Sequence, residues 1–217
     1  LRYLMAYIYK IEEEPYILEI EDALTAGSIM HEILLLFFTQ FMEKNESFSA
    51  SRLAEYGDQI GSCAQKVFRS WEKAEDQFFG PAWESFRKKT LKQMLEYPAA
   101  EAEFFNEYKP VALEQWMEFT LDKEKVRAGG FIDRISENAG EAVIVDYKKS
   151  WKKQKREKFI CEDDAGELLA PEKGYQLPFY ILLARAAGIK VAGTSYYSIK
   201  DAKHYPVSGI GGVLNDE

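Results

Sequence analysis

The run Ala142-Val143-Ile144-Val145 does most to constrain how this chain can fold. Turn-forming residues, Glu137 to Gly140, precede it, and it leads directly into Asp146-Tyr147-Lys148. A short unbroken apolar run bounded in this way reads as a strand buried on both faces. A sheet covered on both faces needs helices on both sides. The rest of the chain supplies them. Asp22 to Lys44 carries a helical apolar stripe through Leu24, Met30, Leu34, Leu35, Phe38, Phe41 and Met42. After a polar break at Asn45 to Ser51, helix is expected over Arg52 to Lys73 and again from Pro81 to Tyr108, with Pro81 in the first turn. Strands are expected at Val111 to Leu121, Glu124 to Ser136, Ala142 to Lys148 and Val191 to Ile199. A helix over Glu172 to Ala187, closed by Gly188, precedes the last of these. The expectation is a single α/β domain over 1–217, mainly helical over 1–109, with an α/β core over 110–217.

Composition narrows the function classes. With 217 residues and 47% apolar content the chain is neither disordered nor collagenous. The unbroken apolar run Ile33 to Phe38 is far shorter than the roughly 20 residues of a membrane span. The opening lacks the pattern of a secretory signal, and a start at Leu1 rather than Met suggests a piece of a longer protein. The net charge of -8 argues against a sequence-independent DNA coat protein. Within that acidic chain, Lys148 to Lys158 (KKSWKKQKREK) holds seven basic residues and one acidic one. This segment is either a solvated charged loop or a guide for single-stranded DNA, with Trp151 and Phe159 available to stack on bases. Two cysteines, Cys63 and Cys161, without a CxxC pair, leave no disulfide framework and no four-cysteine metal site. A reducing, cytoplasmic setting is the default. With only His31 and His204 as imidazoles, any metal site must rely on carboxylates.

Side chains alternate along a strand, so Asp146 and Lys148 share a face about 7 Å apart. Together they can hold a metal and polarise a water, or form a plain strand-end ion pair. A two-residue turn at Ala139-Gly140 and a four-residue turn spanning Asn138 to Glu141 both set Asp133 across from Asp146. Facing carboxylates destabilise a sheet, so a cation between them is expected. The donors suit Mg²⁺ or Mn²⁺. A register shift of one residue would remove the pairing. His31, on the apolar face of its helix, is either a hydrogen-bonded core residue or a nitrogen ligand to that pair. Gln176 and Tyr180, at i and i+4, form a polar edge of a packing face, buttress the lysine or touch a phosphate. No GxxxxGK[ST], second zincin histidine or GxSxG occurs, and Ser208 to Gly212 reads as a tail.

Four segments in this order, Gly27-x-x-x-His31, Gly130-Phe131-Ile132-Asp133-Arg134, Ile144-Val145-Asp146-Tyr147-Lys148 and Gln176-Leu177-Pro178-Phe179-Tyr180, resemble the PD-(D/E)xK nuclease superfamily. The nearest branch is the RecB/AddB-like nuclease domain of helicase–nucleases. Leu1 to Lys10 resembles the opening helix of that branch. The resemblance implies a restriction-endonuclease-like core, a small mixed sheet flanked by helices, with a helical region in front. It implies that His31, Asp133 and Asp146 bind a divalent metal, with the Tyr147 carbonyl as a further ligand. Lys148 would orient or activate the water, making Asp133, Asp146 and Lys148 the catalytic set. Gln176 and Tyr180 would be accessory residues near the DNA, joined by Lys149, Lys152, Lys153, Lys155 and Arg156 of the basic segment. Glu114 is a weaker upstream acidic candidate. The implied activity is exonuclease-type DNA cleavage within a helicase–nuclease of recombination and repair. A helicase domain or partner subunit would be attached, and no membrane would be involved. The rival is an inactive nuclease-like domain that binds DNA or a partner subunit. Ser136 stands where many relatives carry a second Asp, and the four cysteines that hold an iron–sulfur cluster in some relatives are not in this fragment.

Overall fold

The computed structural model describes residues 23–74, 80–121, 126–150, 161–162, 168–169 and 176–208. Four helices come first: α1 (Ala23–Lys44), α2 (Leu53–Ala74), α3 (Gly80–Leu95) and α4 (Tyr97–Phe105). Then follow β1 (Lys109–Leu121), β2 (Val126–Asn138), β3 (Glu141–Lys148), a two-residue pair β4 (Cys161–Glu162) and β5 (Leu168–Leu169), α5 (Gln176–Ala186), β6 (Val191–Ser198) and β7 (Lys203–Ser208). The opening segment Leu1 to Lys10 and most of the basic segment, including Lys152, Lys153, Lys155 and Arg156, lie outside the described residues.

α1 stops where Asn45 turns left-handed (φ 58) and Glu46 N–H reaches back to the Phe41 carbonyl, a common helix ending. By length and composition Thr25–Lys44 could cross a membrane. Its Ile29, Ile33, Leu34 and Phe37 are instead fully buried, so the apolar content is that of a central core helix. The single helix expected from Pro81 to Tyr108 is two helices. Pro98 lies in the first turn of α4. In a continuous helix its ring would meet the carbonyl of Met94, so the chain breaks at Glu96 and restarts.

The main sheet has the order β1-β2-β3-β6-β7 and is antiparallel except for the parallel pair β3·β6. A parallel pair needs a crossover, and α5 lies in it. Ala139 (φ 51) and Gly140 (φ 81) form the two-residue hairpin turn between Asn138 and Glu141. Both positive φ values match a primed turn, and the resulting register includes Ile135↔Ile144 and Arg134↔Val145. β3 is buried on both faces, as its apolar run requires. Val143, Val145 and Tyr147 enter the core under α1 to α4, beside Phe37, Phe38 and Tyr97. Ala142 and Ile144 enter the core under α5, beside Ile132, Leu177 and Leu183. β7, which contains Pro206, adds a strand to those expected from the sequence. At an edge Pro is tolerated, and β7 is the edge beyond β6.

Candidate active site

The β2–β3 ladder ends at Arg134↔Val145, so the next backbone edge of β3 has lost its strand partner. Buried peptide groups must be paired, and two side chains do it. Asp133 Oδ2 accepts the Tyr147 N–H at 2.8 Å. The Tyr147 carbonyl lies 2.9 Å from His31 Nε2. A carbonyl can only accept, so Nε2 carries the proton and Nδ1 points elsewhere. It faces Glu114 Oε1 at 3.6 Å and Asp133 Oδ2 at 3.7 Å. One residue's backbone thus orients an imidazole and a carboxylate, as outer partners do around metal sites.

Glu114 arrives through β1. It occupies the place between the pairs Leu113↔Arg134 and Gln115↔Ile132, opposite Asp133. Its φ of 43 is costly for a non-glycine residue, and such strain gathers at functional sites. Donor atoms of His31, Glu114 and Asp133 lie within 4.8 Å of one another. Sequence reasoning ranked Glu114 low because nothing local to β1 shows that it pairs with Asp133.

Asp146 and Lys148 form the neighbouring half of the site. Lys148 Nζ is 2.7 Å from Asp146 Oδ2 and donates to Gln176 Oε1 at 2.7 Å. Gln176 Nε2 in turn donates to the Tyr180 hydroxyl at 2.7 Å. Of the readings open for Gln176 and Tyr180, the contact seen is the one that buttresses the lysine. Lys149, next along the chain, is exposed.

The electrostatics show surplus negative charge. Burial raises the pKa of both Asp133 and Asp146, and the Asp146 charge adds to the rise at Asp133; Lys148 opposes the rise at Asp146. Burial alone would lower the His31 pKa, but Glu114, Asp133 and the Tyr147 carbonyl outweigh it and lift it to about 9. Asp146 is 1% exposed, and its Oδ1 has no hydrogen-bond partner among the described residues. A buried acceptor without a donor calls for a further partner, and a bound cation would be one. Carboxylate oxygens with one imidazole nitrogen fit a hard divalent cation.

A mixed sheet with helices on both faces, carrying Asp133 and Asp146-Tyr147-Lys148 where β2 parts from β3, defines a protein of the restriction-endonuclease-like class. The chain belongs to the PD-(D/E)XK nuclease superfamily, whose family model matches residues 1–210. Nucleases of this superfamily act on DNA and use divalent metals. No curated protein matches the chain.

Proposed function

We propose that this domain is an exonuclease-type, divalent-metal-dependent deoxyribonuclease of the RecB/AddB-like branch. It would act on single-stranded DNA as part of a helicase–nuclease in recombination and repair. The observation that supports this most is the Asp146 carboxylate, paired with Lys148 through Oδ2 and with no hydrogen-bond partner for Oδ1 among the described residues, next to a His31–Glu114–Asp133 donor cluster.

In this reading His31 Nδ1, Asp133 and Asp146 hold Mg²⁺ or Mn²⁺, Glu114 joins them, and the Tyr147 carbonyl supports His31 or takes a ligand position itself. When bound, the ion supplies Lewis-acid polarisation of the phosphate and a more acidic water. His31 gives up its Nδ1 proton to accept that role. Lys148 Nζ, held by Asp146 and Gln176, orients the attacking water and offsets charge that develops on the phosphate. Tyr180 fixes Gln176. Water oxygen bonds to phosphorus, the bond to the leaving nucleotide oxygen breaks, and solvent restores the protons. Lys149, Lys152, Lys153, Lys155 and Arg156 neutralise phosphates of the incoming strand.

Cleavage of labelled DNA with Mg²⁺, Mn²⁺, Ca²⁺ or EDTA tests this. Mg²⁺ or Mn²⁺ should support cleavage, and Ca²⁺ should bind with little turnover. Lys148→Ala should lower the rate by roughly 10²-fold or more while a Mn²⁺-induced rise in Tm survives. Cleavage undiminished after exhaustive chelation would sink the metal mechanism. DNA binding without cleavage under any metal would favour the inactive, binding-only domain.

A further inference from the structure

Among the described residues only two aromatic side chains are exposed, and they touch each other. Trp116 of β1 is 48% exposed and Phe131 of β2 is 56% exposed. They are cross-strand partners in the sheet. Their rings meet edge to face with centroids 5.0 Å apart, a favoured aromatic geometry. Single exposed apolar side chains are ordinary. Two large rings paired at one place are a surface feature that needs a reason.

The pair is held in position. The Trp116 ring lies against Gly129, where any Cβ would come within 2.7 Å of its Cζ2. Its indole Nε1 donates to Glu118 Oε2 at 3.5 Å. Glu118 is itself paired with Arg127, so its charge is compensated beside the rings. A surface fixed in advance loses little freedom when a ligand settles on it.

The pair also lies on the face of the candidate active site. Gly130 faces α5, since a Cβ there would meet Phe179, Tyr180 and Leu183. Consecutive strand residues point to opposite faces. Phe131 and its partner Trp116 therefore point away from α5, and Asp133, two residues on, shares that face with Phe131. His31 approaches Asp133 there from α1. Two residues of strand span about 7 Å, and stacked nucleotides repeat about every 3.4 Å. The rings thus lie within about two nucleotides of a phosphate held at Asp133.

We propose that Trp116 and Phe131 form a stacking platform for an unpaired base of the strand whose phosphate lies at the candidate active site, and that this platform selects single-stranded over duplex DNA. Every base has a π-face, so the contact is tolerant of sequence. In a duplex both faces of an internal base are already covered by its neighbours, and the rings have nothing to stack on. The proposal deepens the nuclease reading and rests on it for the identity of the ligand.

The test is fluorescence anisotropy with the whole chain in Ca²⁺. The probes are a labelled oligodeoxyadenylate, an abasic strand of the same length and a blunt duplex, with cleavage in Mn²⁺ measured in parallel. A Trp116→Ala/Phe131→Ala double variant should bind the oligodeoxyadenylate about 5- to 150-fold more weakly for each base stacked. Its log–log salt slope should match the wild type, because no phosphate contact is lost. The abasic strand should bind both proteins alike, and the wild-type preference for single strand over duplex should narrow in the variant. Trp116→Phe keeps a stacking face and should retain most of the affinity. Leu182→Ala removes an equally exposed apolar side chain from α5, on the other side of the sheet, and should bind as the wild type does. Unchanged affinity in the double variant would overturn the platform and leave the pair as a docking point for a protein. Equal losses on the abasic and base-bearing strands, equal losses in Trp116→Phe and the double variant, or no wild-type binding would overturn it too. Wild-type cleavage with no dependence on bases removes the platform alone. Base-dependent binding without cleavage under any metal removes the nuclease reading alone.

Discussion

His31 shows how one residue can be tuned from three directions. Its pKa stands near 9, against an ordinary value of 6.5, because Glu114, Asp133 and the Tyr147 carbonyl outweigh burial. A proton must therefore leave Nδ1 before a metal can bind there. Mn²⁺ affinity, read by calorimetry, should rise with pH between about 6.5 and 9 and then level off. A flat profile over that range would remove His31 as a ligand. Without metal the sign reverses. A histidine with a raised folded pKa stabilises fully below 6.5, and that stabilisation is lost as pH rises through about 9. Asp133 also works against the metal-free fold, at lower pH. Its folded pKa is raised by burial and Asp146, so stability falls as pH rises from its unfolded value through its folded one. Asp133→Asn keeps an oxygen for the Tyr147 N–H and removes the charge. We expect it to stabilise the metal-free protein by about 0.5–2 kcal/mol at neutral pH and to abolish the Mn²⁺-induced rise in Tm. Destabilisation in EDTA with an intact metal shift would mean that Asp133 does not sit against Asp146 across a metal.

At the element scale the fold depends on how α4 is locked to the sheet. Arg134 on β2 is fully buried and lies 2.7 Å from Glu101 of α4. It donates to the Tyr97 hydroxyl at 3.0 Å and stacks 4.1 Å from the centre of the Phe38 ring. His204 of β7 adds Nε2 at 3.1 Å from Glu101. Burial would raise the Glu101 pKa, but Arg134 and the His204 hydrogen bond hold it below the usual range. Its stabilisation is present above the ordinary carboxylate pKa and lost as pH falls through the lowered folded value. Breaking a buried ion pair strands the remaining charge. Arg134→Met should therefore cost about 3–5 kcal/mol in urea denaturation, and adding Glu101→Leu should recover much of it. A single-variant cost under about 1 kcal/mol would show that Glu101 finds compensation elsewhere. Because Arg134 follows Asp133 directly, this lock also fixes where β2 leaves β3.

Over the whole molecule, an acidic chain must hold a polyanion. The segment Lys148 to Lys158 carries a net +6 and the remainder 21 basic against 35 acidic residues. If that segment meets DNA, replacing Lys152, Lys153, Lys155 and Arg156 with Ala should flatten the salt dependence of binding. The expected loss is about 0.7 in log–log slope per contact. An unchanged slope would return the segment to a solvated loop.

The turn chemistry of Ala139-Gly140 and the apolar run after it determined the β2–β3 register from sequence alone, because hairpin pairing is local and its turn sets the alignment. For the same reason Asp146 and Lys148 could be assigned to one face by counting along a single strand. The expected helix from Pro81 to Tyr108 failed where Pro98 outweighed the apolar pattern. Tertiary structure alone brought Glu114 opposite Asp133, through a β1–β2 pairing interrupted by a left-handed residue. It also chose which nitrogen of His31 faces the carboxylates, through a carbonyl 116 residues away. The Glu101–His204 contact closes over 103 residues. Such contacts carry no local periodicity, since their partners meet only when the sheet and helical layer pack, and the burial that shifts their pKa values exists only in the packed state.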